Sequence, residues 1–159
     1  MVMQGSGTAL DPYVITDVFE LQAMNDDLSA HYVLGNDIDA SDTANWNDGA
    51  GFVPIGTPGT SFVGTFSGQS FSIIGLYINK ESLYAGLFGS IGSNVTIRDV
   101  KILNPDICSH GGLGALVGYC YEQQNLLIEN CAVEGGTVRP TTNRSEERRV
   151  GKECRSRWS

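Results

Sequence analysis

The chain has 159 residues, of which 41% are apolar and 20 are glycine, so it is not disordered and is long enough for one domain with a buried core. No apolar run approaches the ~20 residues of a membrane helix, so we expect no membrane insertion. Residues 1–143 carry fifteen acidic and four basic side chains, a net charge of −11, and such a surface repels nucleic acid and anionic membranes.

Residues 1–30 are predicted to form an N-terminal strand and a capping helix. The first seven residues have neither a basic start nor an apolar stretch, so they do not form a signal peptide. Residues 13–15 favour a strand, and Thr16 or Asp17 can cap a helix. An apolar stripe at roughly helical spacing follows, and we expect it to cover the open end of a stack of strands. The stripe consists of Phe19, Leu21, Met24 and Leu28.

The next segment, residues 31–39, is predicted to be a strand with a corner, and residues 40–51 an exposed polar excursion. Four carboxylates cluster around this corner, and closely spaced oxygen ligands make them weak candidates for a calcium site. They lack the Asp-x-Asp-x-Asp-Gly order of a calcium loop, which favours the alternative that they cap turns. The four are Asp37, Asp39, Asp42 and Asp48.

Trp46 lies in the most polar loop and is the best single candidate for a ligand contact, because an indole ring can stack on a sugar. The alternative is that it folds back and shields the edge of a coil. Tyr32, Tyr77 and Tyr84 are further candidates for stacking surfaces.

A pattern of alternating apolar residues, a turn residue and a second alternating pair begins at Phe71, Val95 and Leu126. The turn residue is Gly75, Asp99 or Asn130, three types that tolerate a left-handed backbone. This recurrence predicts a solenoid of about four parallel coils. An antiparallel β-sandwich is the alternative, since its strands also alternate.

The pattern predicts which side chains lie above one another in successive coils. The predicted stacks are Phe71/Val95/Leu126, Ile73/Ile97/Ile128, Leu76/Val100/Cys131 and Ile78/Ile102/Val133.

Gly86-Leu87-Phe88-Gly89 resembles the GLUG repeat, and Ala115-Leu116-Val117-Gly118 matches it less strictly. The N-terminal region, including 5-GSGT-8, 11-DPY-13, 32-YVLGNDID-39 and 52-FVPIG-56, is similar to the region that precedes such repeats in bacterial surface proteins. The resemblance covers about residues 5–138.

This resemblance implies a mainly β fold, a right-handed parallel β-helix, within a secreted or surface-displayed bacterial protein. Its relatives include adhesins of the filamentous haemagglutinin kind and non-catalytic regions of IgA-specific metallopeptidases. It carries no catalytic residues to this chain. We place the coils in residues 31–143.

The sequence gives little support for an enzymatic function. His31 and His110 do not form the His-Glu-x-x-His motif of a zinc peptidase. A polysaccharide lyase or hydrolase would need converging carboxylates or a basic residue in a groove, and it remains the alternative function. We predict no catalytic residue, cofactor or structural zinc. Of Cys108, Cys120 and Cys131, we expect Cys131 to pack as a small apolar residue. The alternative is a Cys120–Cys131 or Cys108–Cys120 disulfide in a secreted protein.

Residues 144–159 hold six of the ten basic side chains, and the string resembles a sequencing adapter translated in frame. We therefore exclude this tail from the fold, and the alternative is a basic nucleic-acid-binding tail. The remaining features predict a non-enzymatic structural or adhesive segment of a longer secreted or cell-surface protein. Its partner would be a host or matrix glycan or protein.

Overall fold

A computed structural model of the chain describes residues 3–81, 84–120 and 125–140. The tail at 144–159, with Cys154, and the last three residues of the predicted coil region lie outside this part. The elements in chain order are β1 (Tyr13–Ile15), α1 (Val18–Gln22), a 3₁₀ turn (Ala23–Asp26), β2 (His31–Leu34), β3 (Ile38–Asp39), 3₁₀ turns (Ser41–Asn45 and Asn47–Gly49), β4 (Thr65–Ser67), β5 (Ser72–Ile74), β6 (Tyr77–Lys80), β7 (Thr96–Arg98), β8 (Lys101–Leu103), β9 (Asp106–Ser109), β10 (Leu127–Glu129), β11 (Ala132–Glu134) and β12 (Thr137–Pro140).

The strands form three sheets, with the orders β1-β2-β4-β7-β10, β3-β5-β8-β11 and β6-β9-β12. All the strand pairs in these sheets are parallel. A chain that returns in the same direction beside its previous circuit forms a solenoid, so the predicted parallel β-helix with a short N-terminal helix is confirmed. The described part contains roughly three full turns rather than the expected four, because its third sheet has three strands.

The corners have the left-handed backbone that their residue types predict. Gly75, Asp99 and Asn130 have φ angles of 76°, 56° and 52°. Glycine lacks the Cβ that makes this conformation costly, and the short side chains of Asp and Asn tolerate it. A left-handed residue turns the chain sharply, so each coil passes from one sheet to the next within a few residues.

The predicted register is wrong for the segment that begins at Phe71. Phe66 pairs with Ile97, and Ile97 with Ile128, whereas Ile73 pairs with Ile102. Each coil contains two corners with the same pattern. The segment at Phe71 spans the second corner, which joins the second sheet to the third. The segments at Val95 and Leu126 span the first corner, which joins the first sheet to the second.

The correction changes all four predicted stacks, because each contains one residue of the segment at Phe71. The observed columns are Phe66/Ile97/Ile128, Ile38/Ile73/Ile102/Val133 and Ile78/Ile107/Val138. One circuit takes 31 residues from Thr65 to Thr96 and again from Thr96 to Leu127. The pairing of positions 97 with 128 and 102 with 133 is confirmed.

The glycine-bracketed segments form a fourth side of the solenoid without regular strands. Ile55 is bridged to Phe88, and Phe88 to Val117, both in parallel. Phe88 and Val117 belong to the two tetrapeptides that resemble GLUG motifs, so those tetrapeptides lie directly above one another. Residues 64–68 also begin and end with glycine, but they are not a counterpart of these tetrapeptides, because they contain β4.

The interior is a continuous column of aliphatic and aromatic side chains. Phe66, Ile73, Ile97 and Ile102 are all fully buried. The ring centroids of Phe62 and Phe88 lie 4.9 Å apart, so successive coils also stack their aromatic rings. Because β1 and α1 contribute buried residues to the same core cluster, they close the solenoid, while a domain boundary at residue 30 remains a prediction.

Helix α1 begins as the sequence predicts and buries most of its stripe. Asp17 is the N-cap, and its Oδ1 accepts a hydrogen bond of 2.8 Å from the backbone N–H of Glu20. Leu21 and Met24 are fully buried, but Phe19 is 52% exposed. The prediction that Phe19 faces the core is therefore wrong. The helix is five residues long, too short for its outer face to be told from its inner face by spacing.

Where the helical region meets the first coil, side-chain amides form the hydrogen bonds to the backbone of residues 53–56 that a neighbouring strand would otherwise form. Gln22 Nε2 donates to Val53 O at 2.9 Å, while Gln22 Oε1 accepts from Val53 N at 2.9 Å. Asn25 Oδ1 accepts from Gly56 N at 3.1 Å, and its Nδ2 donates to Pro54 O at 3.3 Å. These bonds satisfy backbone groups that would otherwise form an open sheet edge.

We expect Gln22→Ala to lower the free energy of unfolding by about 1 kcal/mol, because two hydrogen bonds to Val53 are lost and water replaces them in part. Gln22→Glu should be at least as destabilising, since it places a carboxylate against the Val53 carbonyl. Urea unfolding followed by circular dichroism measures both. The exposed neighbour Asp26 provides the control Asp26→Asn, and equal stability of all variants would show that the amide does not protect the edge.

Candidate ligand-binding groove

The predicted contact residue, Trp46, pairs with a residue that the sequence assigned to the core. Its ring stacks on Phe19 with the centroids 5.3 Å apart and the planes 28° from parallel. Trp46 Nε1 lies 3.3 Å from Asp42 Oδ2, to which it donates. Trp46 is half-buried and packs against the core, so it shields the coil edge as well as presenting a ring.

The two rings form one wall of an open groove of about 590 Å³ between helix α1 and the excursion at 40–51. Its lining combines apolar surface with amides and one carboxylate. The lining residues are Phe19, Gln22, Asn25, Asp26, Trp46, Asn47 and Val53. Such a mixture of aromatic surface and a few polar groups is common in small-ligand sites.

Local structure holds the groove in shape. Gln22 and Asn25 are anchored to the backbone of residues 53–56, as described above. Asn47 Nδ2 donates to Gly51 O at 2.8 Å, which closes the turn that carries Trp46. Asp48 has a left-handed φ of 55° in the same turn. The rings therefore lie on a surface that is set by hydrogen bonds and by the rigid solenoid beneath it.

The structure does not bring the four candidate calcium ligands into one set. Within the described residues, no group of three or more His, Cys, Asp and Glu side chains is placed to hold a metal ion. Asp37 Oδ1 instead accepts from Ser72 N at 2.8 Å in the next coil. Asp42 accepts from Trp46 and from Asn45 Nδ2, the latter at 3.2 Å.

Asp39 closes its own turn. Its Oδ1 accepts from the Ser41 hydroxyl at 2.6 Å and from Ser41 N at 3.0 Å. Both hydrogen bonds lower the pKa of Asp39, because they stabilise its charged form, and the bond from the Ser41 hydroxyl has the larger effect. Asp39 therefore caps a turn, as the alternative interpretation of the sequence predicts, whereas Asp37 links two coils and Asp42 accepts from nearby side chains.

The other candidate stacking residues lie elsewhere. Tyr32 is fully buried, contrary to the expectation, and its hydroxyl donates to Asp27 O at 2.7 Å. Tyr84 pairs with Tyr119 at a centroid distance of 4.5 Å on the fourth side. Tyr77 lies half-buried in β6. None of the three lines the groove at Trp46.

The structure holds Cys108, Cys120 and Cys131 as thiols. Cys131 occupies the position of Val100 in the next coil, as predicted, and its Sγ lies 3.3 Å from Glu129 O. Burial is the main cause of its raised pKa. A thiol with a raised pKa is a poor nucleophile, so Cys131 acts as a packing residue.

Among the residues that the structure describes, no helix has the length and apolar character needed to span a bilayer.

No model of a known protein family matches the chain. Halomucin of Haloquadratum walsbyi is 36% identical over 125 residues, which cover 72% of this chain and 1% of that protein. A protein of Evansella cellulosilytica assigned as a Gly-rich membrane protein is 35% identical over 136 residues, covering 83% of this chain and 15% of that protein. The chain thus spans a small part of each of these curated relatives.

A solved structure shares the fold. It is a Bacteroides ovatus protein assigned as an immunoglobulin A1 protease, with a TM-score of 0.65 and 25% sequence identity. The likeness covers 82% of this chain and 40% of that one. The chain is therefore a parallel β-solenoid of a kind found within longer proteins.

Proposed function

We propose that the chain is a non-enzymatic structural segment of a secreted or cell-surface protein, and that the Phe19–Trp46 groove gives it an adhesive role toward glycans. The observation that carries the adhesive role is the stacked, solvent-accessible ring pair on a rigid solenoid. Contiguous apolar surface that is exposed beside polar groups commonly marks an interaction site. Here Phe19 is more than half exposed beside a half-buried Trp46.

The structural role follows from the coil-on-coil arrangement. Each coil buries its apolar face only against its neighbours, so such a segment gains stability as part of a stack and suits an extended stalk or spacer. The similarity to short portions of much longer proteins supports this role. One of those proteins is assigned to a membrane, which supports a location at the cell surface.

We also propose that the chain is related to the GLUG-repeat proteins of bacterial surfaces. Its two GLUG-like tetrapeptides lie at the same place in successive coils, linked by the bridge between Phe88 and Val117. The likeness to part of the Bacteroides ovatus protein supports the idea that this kind of solenoid is one segment of a longer protein.

A carbohydrate-active enzyme is the competing function, and the lining of the groove argues against it. Hydrolysis of a glycoside commonly uses two carboxylates that flank the bond. Among the residues that the structure describes, the lining contains one carboxylate, that of Asp26. Aromatic rings with flanking amides instead favour binding without reaction, because the rings contact the apolar face of a sugar and the amides bond its hydroxyls.

Replacing either ring should weaken glycan binding. We expect Trp46→Ala and Phe19→Ala each to reduce the affinity for a neutral hexasaccharide by about tenfold, in line with the 0.5–1.5 kcal/mol of an aromatic contact plus the lost apolar burial. Cellohexaose, mannohexaose and laminarihexaose are the probes, and isothermal titration calorimetry gives the dissociation constants. Val63→Ala is the control, because Val63 is an exposed apolar residue outside the groove.

The proposal fails if none of the three sugars binds the parent chain, or if Val63→Ala weakens binding as much as Trp46→Ala does. Circular dichroism spectra of each variant establish that the fold is retained.

A further inference from the structure

The part of the chain that carries the Phe19–Trp46 groove is uniformly acidic. Residues 1–79 contain nine Asp and Glu residues and neither Lys nor Arg, so they account for −9 of the net charge of −11 in residues 1–143. Six of the nine acidic residues lie in the two segments that flank the groove, 17–28 and 40–51. They are Asp17, Glu20, Asp26, Asp27, Asp42 and Asp48.

The negative charge inside the groove has no basic partner there. Asp26 is an exposed lining residue, and none of the described lining residues is basic. The ion pairs that the structure shows among the described residues involve Arg98 and Lys101, which lie in a later coil and outside the groove. At physiological ionic strength the Debye length is about 8 Å, so distant cations contribute little to the potential in the groove.

The hydrogen-bond donors of the groove are committed to the protein more than its carboxylate is. Trp46 Nε1 donates to Asp42 Oδ2 at 3.3 Å. The amides of Gln22 and Asn25 each use an N–H on a backbone carbonyl, at 2.9 and 3.3 Å. Within the described part of the chain, the structure shows no hydrogen bond or ion pair to the carboxylate of Asp26. A ligand that donates to Asp26 therefore breaks no existing contact.

The two rings add to the negative potential of the groove. The face of an aromatic ring carries the negative part of its quadrupole, so it attracts a cation as well as apolar surface. Phe19 is 52% exposed, Trp46 is half-buried, and both line the same groove as Asp26. The ligand that complements this lining has an apolar face and a positive charge.

From this combination we infer that the preferred ligand of the Phe19–Trp46 groove is an amino sugar with a free ammonium group, such as a β-1,4-linked glucosamine oligomer. The inference rests on the proposed glycan-binding role of the same groove and adds the charge of the ligand to it. The sugar rings contact Phe19 and Trp46, while an ammonium group pairs with Asp26. The acidic surface around the groove attracts such a polycation and raises its rate of association.

Two sugar hexamers with the same β-1,4 backbone test the inference. The glucosamine hexamer and cellohexaose differ only at C2, which carries an ammonium group in the first and a hydroxyl in the second. The N-acetylglucosamine hexamer, which is neutral, controls for the nitrogen substituent, and hexalysine controls for charge without sugar. Isothermal titration calorimetry in a mildly acidic buffer, in which the sugar amines are protonated, gives the dissociation constants.

The variants separate the groove carboxylate from the general charge of the chain. Asp26→Asn removes the negative charge from the groove and preserves the shape of the side chain. Asp11→Asn is the matched control, because Asp11 is also exposed and lies outside the groove. Trp46→Ala tests whether the charged sugar uses the same rings as a neutral one.

We expect the glucosamine hexamer to bind the parent chain about tenfold more tightly than cellohexaose or the N-acetylglucosamine hexamer, because charge attraction adds to ring stacking. Asp26→Asn should weaken binding of the glucosamine hexamer about fivefold and leave cellohexaose binding unchanged. Asp11→Asn should bind both like the parent. Trp46→Ala should weaken the binding of both, since both stack on the ring.

Four results would each overturn the inference. Equal affinities for the glucosamine hexamer and cellohexaose would refute it and leave the glycan-binding role of the groove intact, whereas a lack of binding by every hexasaccharide would refute both. Equal losses in Asp26→Asn and Asp11→Asn would show general attraction to an acidic chain. Hexalysine that binds as tightly as the glucosamine hexamer would show that the groove selects a basic peptide as readily as an amino sugar.

Discussion

Ile97→Asp should unfold the solenoid or lower its free energy of unfolding by at least about 4 kcal/mol. Ile97 is fully buried in the column between Phe66 and Ile128. An ionised carboxylate there would lose its hydration without gaining a partner, and the isoleucine packing would be lost as well. For a chain of this size, 4 kcal/mol corresponds to a fall of roughly 10 °C in the melting temperature.

The control for this experiment is Leu127→Asp, which adds the same charge at a neighbouring strand on the outer face. Leu127 is 45% exposed, so its replacement should change the melting temperature by no more than a few degrees. A thermal scan in which the two variants melt together would mean that Ile97 does not face the interior.

Gly64→Ala should strongly destabilise the solenoid although it adds only a methyl group, with an expected loss of about 3 kcal/mol or more in the free energy of unfolding. A Cβ at residue 64 would overlap the carbonyl oxygen of Ala30 and lie 3.0 Å from its carbonyl carbon. Both belong to the backbone of the preceding coil and cannot rotate away. Thr65 N donates to the same carbonyl at 3.3 Å, so the methyl group would also separate a bonded pair of coils.

Gly59→Ala is the matched control, because a Cβ at residue 59 meets no atom within 4 Å. It should stay within about 0.5 kcal/mol of the parent in urea unfolding. Equal stability of the two alanine variants would contradict the close approach of the coils at residue 64.

The sequence predicts the type of fold because the main determinants of this fold lie within short segments of the chain. Alternation marks strands with one buried face, and Gly75, Asp99 and Asn130 mark left-handed corners. The Asp17 cap is likewise visible in the chain. Register is not local in this sense, because each coil contains two corners with the same pattern. Only the position of Phe66 in β4, five residues before the segment at Phe71, distinguishes them.

The aromatic groove is predictable only in part. Trp46 can be identified as a candidate because a large ring in a polar loop is unusual. The helical spacing of the apolar residues wrongly predicts that its partner, Phe19, faces the core. A five-residue helix has too few turns for its spacing to separate one face from the other. The contact between Phe19 and Trp46 also joins positions 27 residues apart, which composition and spacing do not connect.

The outer face of the first sheet could not be deduced from the sequence alone. His31, Thr65 and Thr96 come from different coils, and they adjoin only once the 34-residue first circuit and the 31-residue second circuit are known. With the register established, such columns can be read directly from the sequence. Outward positions of β2, β4, β7 and β10 then form one face.

The register of the coils can be measured most directly by nuclear Overhauser effects in a sample with labelled isoleucine methyl groups and labelled phenylalanine rings. Parallel stacking with a 31-residue circuit predicts contacts from Ile97 to Phe66 and Ile128, and from Ile102 to Ile73. A contact between Ile97 and Ile73 in place of these, or the absence of contacts between coils, would contradict the stacked solenoid on which the proposed function depends.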